Sequence, residues 1–158
     1  MKILYISQSV VPSKSANSIH VMKTCESFAN FNNKVSLVTY DIFSEKENLV
    51  NDDFKFYGVN KQFKIHKIKV SNNIIIREVK YFLKILWFAL TFKPDLIYSR
   101  SIQTSFLLSL FGFNSVLEIH SPPTIKTNYL FKKFISSRSL DFLVVISKNL
   151  KKFLIHKY

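Results

Sequence analysis

Short apolar runs alternate along this chain with longer segments in which apolar residues recur every three or four positions. Runs of the first kind, bounded by polar residues, are typical of buried strands, whereas the wider spacing is typical of helices that pack on a sheet. The first run, from Lys2 to Ile6, is rich in apolar residues and stops at the polar Ser7. It predicts a buried parallel strand that ends in a loop.

The segment after this strand predicts the first helix. Apolar residues recur there at Val21, Cys25 and Phe28, which is the spacing of one helical face. The side-chain oxygen of Asn17 or Ser18 is expected to cap the first turn, because both residue types favour that position.

The alternation continues to the end of the chain. Strands are predicted at 34–39, 63–70, 96–98, 116–119 and 142–146, and helices at 75–92, 103–111, 125–136 and from 147 onward. Lysines interleave the strand at 63–70, which favours a sheet edge, and the polar stretch 41–60 predicts no element. Strands that alternate with helices of this length indicate right-handed crossovers. We therefore expect an α/β fold: a single Rossmann-like domain over residues 1–158, with a mainly parallel β-sheet and helices on both faces.

The composition agrees with this class and bounds the partners. Two glycines and four prolines are too few for a turn-dense all-β fold. The formal net charge of +13 suggests a polyanionic partner, but the lysines are spread along the chain and do not choose among nucleic acid, an acidic membrane and a phosphorylated substrate. Cys25 is the single cysteine, so no internal disulfide is possible, and the start of the chain has no export pattern. A cytoplasmic location is expected.

The first-strand loop is the first candidate site, because ligands of open α/β sheets bind beyond the carboxyl ends of the strands. Its sequence, SQSVVPSKSANS, opens a helix whose free amides and positive dipole end can hold a phosphate or a sugar hydroxyl. A capped helix with a solvated loop explains the same residues without a ligand. No GxGxxG or Walker pattern occurs, so the fingerprint of a classical dinucleotide or nucleoside triphosphate site is missing.

Two further strand ends carry candidate chemistry. Glu118 and His120 are two residues apart, which on a strand places them on one face. His120 can act there as an acid, a base or a hydrogen-bond donor to a sugar hydroxyl, with Glu118 setting its orientation. Arg100 follows the strand at 96–98 and can reach a phosphate or an acceptor carboxylate. The alternatives are a polar strand end for the first pair and a surface ion pair for Arg100.

Other kinds of chemistry lack a signature. One cysteine and four scattered histidines form no metal-ligand spacing, and no nucleophile elbow or catalytic triad is evident. The segment 77–93 combines basic residues with aromatic ones, which suits docking on an anionic bilayer surface, although a core helix whose lysines face water has the same pattern. Its apolar part is too short to cross a membrane.

Four segments together resemble the N-terminal domain of family four glycosyltransferases. They are MKILYISQSVVPSKSANSIHVMKTCESFANFNNKVSLVTY, KPDLIYSRS, SVLEIHSPP and LDFLVVISKNLKKFL, and they follow one another in the family's order over essentially the whole chain. The resemblance implies the GT-B architecture, in which two Rossmann-like domains face each other across a cleft. It also implies transfer with retention of anomeric configuration, no metal ion and no cofactor other than the nucleotide-sugar substrate.

The resemblance also implies roles for individual residues. His120 matches the cleft histidine of the fifth strand, with Arg100 and Glu118 nearby. Ser15, Ala16 and Asn17 lie in the loop that approaches the donor phosphate or the acceptor. Many members carry a glycine pair in this loop, whereas Ser15 and Ala16 stand here.

A second departure concerns the donor. The C-terminal domain that binds the nucleotide sugar, with its two glutamates separated by seven residues, is absent from the 158 residues. We expect little or no transferase activity from this chain alone, whether it is a fragment or a subunit whose donor domain another chain supplies.

The leading interpretation is therefore an acceptor-side glycosyltransferase domain acting on a glycan or lipid-linked acceptor in cell-surface polysaccharide or glycolipid synthesis, held loosely on the inner face of the membrane. The alternative is a non-catalytic subunit that binds a sugar, a lipid acceptor or another transferase subunit. A nucleic-acid partner has only the charge in its favour and is not expected.

Overall fold

The computed structural model of the protein describes residues 1–41, 52–69 and 73–158. Within them six strands alternate with six helices, and every strand pairing that is described is parallel. The predicted α/β, Rossmann-like fold class is confirmed. The chain divides into two compact units, Met1–Asp95 (unit 1) and Leu96–Tyr158 (unit 2).

The described residues of unit 1 form three strands and three helices. In chain order they are β1 (Lys2–Val10), α1 (Ala16–Asn30), β2 (Lys34–Asp41), α2 (Asp53–Tyr57), β3 (Lys64–Lys69) and α3 (Ile74–Phe92). The strand order is β3-β2-β1, with Ile3 opposite Val35 and Leu37 opposite Ile65. β1 and β2 are buried almost throughout, as strands covered on both faces are.

Unit 2 repeats the pattern with β4 (Leu96–Ser99), α4 (Ile102–Ser109), β5 (Ser115–Ile119), α5 (Ile125–Ile135), β6 (Leu140–Val145) and α6 (Lys148–Lys157). Its strand order is β4-β5-β6. Leu117 and Ile119 of β5 pack in one core with Phe131 and Phe134 of α5 and with Leu154 of α6. All five residues of β5 are buried, so this packed strand holds the polar residues at its carboxyl end in place.

Two expectations about local structure need correction. The predicted caps of α1, Asn17 and Ser18, are wrong: Ser15 is the last residue with an extended backbone, and its hydroxyl accepts from the Ser18 amide at 3.2 Å. The stretch 41–60 contains a helix that the polar sequence did not predict, the five-residue α2. The part of that stretch from 42 to 51 lies outside the described residues, as does the predicted end of the third strand at Val70.

Cys25 is buried in the face of α1 that packs on the sheet. Burial raises the pKa of its thiol well above the ordinary value. The side chain therefore serves as a small apolar core residue rather than as a reactive thiolate. None of the described helices combines the length and the apolar character needed to span a bilayer.

Candidate functional site

The carboxyl ends of β4 and β5 bring four polar side chains together in unit 2. Tyr98 lies opposite Val116 in the parallel pairing of these strands, and the next pair is Ser99 with Leu117. Continuing that register by one residue places Arg100 opposite Glu118. Because side chains alternate along a strand, Tyr98, Arg100 and Glu118 share a face, and so does His120, two residues beyond Glu118.

Glu118 is the centre of this cluster. Its side chain is 3% exposed, and its Oε2 accepts a hydrogen bond from the Tyr98 hydroxyl at 2.6 Å. Its Oε1 lies 3.4 Å from the Arg100 Nε and is also in contact with the Nε2 of His120. A buried carboxylate needs such partners, because an unpaired buried charge is strongly destabilising.

The ionisation of Glu118 follows from these contacts. Burial by itself raises the pKa of its carboxyl, but the hydrogen bonds from Tyr98 and His120 and the positive charge of Arg100 outweigh burial, so the pKa is lowered below its ordinary value. Burial, together with the bond to the carboxylate, raises the pKa of the Tyr98 hydroxyl. At neutral pH Glu118 is therefore a carboxylate and Tyr98 a neutral donor.

His120 is the most exposed member of the cluster. Its side chain is 36% exposed, whereas that of Arg100 is 8% exposed. The Nε2 of His120 touches both the Glu118 carboxylate and, at 2.5 Å, the Nη2 of Arg100, yet it can only donate to the first or accept from the second. Arg100 has further N–H groups to place, whereas the buried carboxylate needs donors. The arrangement therefore favours a proton on Nε2.

The chemistry open to this cluster is that of an oriented imidazole. With a proton on Nε2, a neutral His120 has its lone pair on Nδ1 and can accept from a hydroxyl; protonated, it donates from both nitrogens. Glu118 and His120 offer two potential metal ligands, fewer than the three or four protein ligands of a zinc site, so by themselves they do not complete one. Hydrogen bonding and proton transfer with a hydroxyl ligand fit the cluster best.

The first-strand loop forms the second predicted site, in unit 1. Ser15, Ala16 and Asn17 begin α1 and are exposed. The Asn17 side-chain amide donates to the Ser9 hydroxyl at 2.6 Å, and that hydroxyl lies 2.6 Å from the Ser7 hydroxyl. The loop is therefore tied to the end of β1 through a chain of small polar side chains.

Sequence reasoning missed a residue that supports this loop. The hydroxyl of Tyr57, in α2, donates to the Ser13 carbonyl at 2.8 Å and accepts from the Ser13 amide at 2.5 Å. Because Tyr57 is far along the chain in a stretch without periodicity, no local signal predicted the contact.

A second polar group in unit 1 was also missed. Glu78 of α3 accepts hydrogen bonds from Gln8 at 2.9 Å and Tyr40 at 3.2 Å, and its neighbour Arg77 lies 3.1 Å away. Gln8 and Tyr40 stand near the carboxyl ends of β1 and β2. Burial, and next the Glu78 charge, raise the pKa of the Tyr40 hydroxyl. The one acidic residue within a basic helix was the available signal.

The structure thus groups Arg100, Glu118 and His120 in one cluster, with Tyr98 added, and groups Ser15, Ala16 and Asn17 at the start of α1. Compared with known proteins, the sequence matches no protein-family model and no curated protein.

Proposed function

We propose that this chain is the acceptor-side domain of a retaining GT-B glycosyltransferase similar to family four, which transfers a sugar from a nucleotide-sugar donor to a glycan or lipid-linked acceptor. The observation that carries the proposal is the cluster at the ends of β4 and β5, where a part-exposed His120 is held by the buried carboxylate of Glu118. The cluster lies at the carboxyl ends of the strands, which is the edge where ligands of α/β sheets bind.

The role of His120 in this proposal is to hydrogen-bond a hydroxyl of the acceptor or the transferred sugar, and so to hold the reacting groups in line. In the transfer, the bond between the anomeric carbon and the donor phosphate oxygen breaks, and the acceptor oxygen takes the carbon. The acceptor hydroxyl proton leaves with the departing phosphate. Glu118, Arg100 and Tyr98 act through His120.

The start of α1 has the second role. Ser15, Ala16 and Asn17 lie at the positive end of the helix dipole, where a phosphate or a sugar hydroxyl is favourably placed. Ser15 and Ala16 are small enough for close approach of a ligand to the backbone. This half of the transferase needs a donor-binding half, and the proposal assigns nucleotide-sugar binding to that half, whether the same polypeptide or another supplies it.

The proposal places the protein in the cytoplasm, beside the inner face of the membrane from which a lipid-linked acceptor is presented. Its first test is acceptor binding by the chain itself. The wild-type chain and His120→Asn are titrated with an array of oligosaccharides and glycolipids, and His156→Asn is the matched control because this exposed histidine lies on α6. We expect at least one ligand to bind about tenfold more weakly to His120→Asn and unchanged to the control.

Two results contradict the proposal. If His120→Asn binds the ligand as tightly as the wild type does, the cluster around His120 is not the acceptor site. If the wild-type chain binds no member of the array, it is not an acceptor-binding domain. The donor side is tested by translating the DNA that follows the codon for Tyr158: a second Rossmann-like half with paired glutamates is expected there or in a neighbouring reading frame.

A second function, a non-catalytic partner subunit, is favoured by one observation in unit 2. Phe142 and Val144 of β6, and Ile146 directly after the strand, are 72%, 37% and 53% exposed. Exposed apolar surface of this kind marks many protein interfaces. Phe142→Lys distinguishes the two functions, because it should abolish assembly with a transferase in size-exclusion chromatography while leaving acceptor binding through His120 intact.

A further inference from the structure

The outer side of α3 carries a continuous apolar stripe. Five large apolar residues recur at spacings of three or four, so they share one face of the helix. They are Ile76, Val79, Leu83, Trp87 and Leu90, and they are between 45% and 57% exposed. The inner face is different, because Tyr81, Ile85 and Ala89 are buried against the sheet. A helix that already packs through one face leaves this second apolar face to solvent.

Positive charge lies beside the stripe. Lys80 and Lys84 are exposed on α3, and together with Lys67 and Lys69 of β3 they line a groove of about 980 Å³. The Lys84 ammonium stands 5.7 Å from the centre of the Trp87 ring. Lys67 pairs with Asp53 of α2 at 2.8 Å, which offsets its charge. Within the described part of α3 the single carboxylate, Glu78, is occupied by Gln8, Tyr40 and Arg77 and does not neutralise Lys80 or Lys84.

We infer that this surface, the α3 face, docks the protein on an anionic phospholipid bilayer, with the stripe at the level of the acyl chains and the lysines on the phosphates. The helix lies in the interface, since no described helix can cross the membrane. At 19 residues α3 is about 28 Å long, enough to bring the whole stripe into one plane.

A bilayer fits these residues better than a soluble polyanion does. A nucleic acid would pair with the lysines but leave five apolar side chains in water, whereas a bilayer interface satisfies both groups together. Lysine side chains can lay their methylene stems along the apolar surface while the ammonium reaches a headgroup. The inference concerns unit 1 alone and does not depend on the transferase proposal.

The chain supplies its own probe, because Trp87 is the single tryptophan of the sequence and belongs to the stripe. Vesicles of phosphatidylcholine with and without phosphatidylglycerol are added to the protein, and the Trp87 emission and sedimentation with the vesicles are recorded. We expect the emission to shift to shorter wavelength and the protein to sediment with anionic vesicles only. Salt raised from about 0.05 M to about 0.5 M should weaken the binding.

Two pairs of variants test the charged and the apolar parts. Lys80→Gln with Lys84→Gln should weaken binding about 25-fold, since each basic residue at the surface contributes about fivefold. The matched control, Lys151→Gln with Lys152→Gln on α6, loses the same charge from exposed positions and should change binding by less than about twofold. Val79→Ser with Leu83→Ser should also lose binding, whereas Ile125→Ser with Ile155→Ser, exposed in unit 2, should not.

Several results would overturn the inference. An unchanged Trp87 emission on anionic vesicles does so, and so does an equal loss of binding in the α6 control. Inorganic phosphate that produces the same emission shift without vesicles shows a soluble-anion site instead. The altered side chains are exposed, so each variant should fold, and circular dichroism verifies this. His120→Asn should bind vesicles as the wild type does, so failure of this inference and failure of the transferase proposal remain distinguishable.

Discussion

At the scale of single residues, Tyr98 determines how firmly Glu118 holds its charge. Its hydroxyl bonds a carboxylate that is 3% exposed, and a hydrogen bond to a charged group contributes about 1.5–3 kcal/mol. Tyr98→Phe should therefore lower the free energy of unfolding by about that amount at neutral pH. Urea denaturation followed by circular dichroism measures it, with the exposed Tyr129→Phe as the control.

The same bond predicts a pH dependence. The pKa of Glu118 is lowered in the folded protein, so in acid the unfolded chain binds more protons than the folded one. The stabilisation is complete above the unfolded pKa of about 4.3 and is lost as the pH falls through the lower folded pKa. The destabilisation caused by Tyr98→Phe should accordingly shrink in acid. If Tyr98→Phe lowers the free energy of unfolding by the same amount in acid as at neutral pH, Tyr98 acts through packing and not through the carboxylate.

The contacts of His120 also determine which of its ring nitrogens carries the proton. The Glu118 carboxylate can only accept a hydrogen bond from Nε2 of this residue, whereas Arg100 has other N–H groups to donate elsewhere. Neutral His120 should therefore carry its proton on Nε2. Two-dimensional ¹⁵N spectra of the imidazole distinguish the two tautomers directly. Glu118→Gln should weaken the preference for Nε2, and His156, outside the cluster, reports the tautomer mixture of an exposed histidine. A proton found on Nδ1 would reverse the roles assigned to Arg100 and Glu118.

At the scale of elements, the start of α1 depends on Ser15. Its hydroxyl accepts from the Ser18 amide, and an N-cap serine contributes about 1 kcal/mol. Ser15→Ala should lower the free energy of unfolding by about this amount, and Ser15→Asp should restore most of it, because aspartate also caps well. Thermal unfolding of the three proteins provides the comparison, with the exposed Ser136→Ala, at the carboxyl end of α5, as the control. Equal stability of Ser15→Ala and the wild type would contradict the assigned cap.

Elements with a buried apolar face were predictable from the sequence, and short ones were not. The run that became β5 and the period that became α3 each leave a regular pattern, because burial on a sheet selects apolar residues at fixed spacing. The helix α2 has five residues, less than two turns, and is defined by its ends: Asp52 caps its start and Gly58 ends it with a φ of 57°. Such caps occur equally in loops, so they do not identify a helix by themselves.

The candidate site was predictable to the same extent. The two-residue spacing of Glu118 and His120 predicts a shared face, and Arg100 was found because it follows a strand. Tyr98 was not predicted, because its contact with Glu118 depends on the register between β4 and β5. No pattern within one strand specifies that register.

At the scale of the whole molecule, the net charge of +13 is spread over several elements and is not confined to one groove. Exposed lysines occur on β3 and α3, and also on α5 and α6 (Lys132, Lys133, Lys151 and Lys152). A distributed charge of this kind attracts any polyanion, but it does not read a sequence of bases.

Binding to nucleic acid should therefore be weak and uniform. With random and defined oligonucleotides at physiological salt, we expect dissociation constants of about 10⁻⁴ to 10⁻⁶ M, the range of non-specific binding, and a steady loss of affinity as salt rises. Fluorescence anisotropy measures both. The Lys151→Gln with Lys152→Gln variant and the Lys80→Gln with Lys84→Gln variant should lose about the same affinity for nucleic acid. In the vesicle experiment, by contrast, only the loss of Lys80 and Lys84 should weaken binding. A dissociation constant near 10⁻⁸ M, or discrimination between base sequences, is characteristic of specific recognition and would instead make a nucleic acid the functional partner.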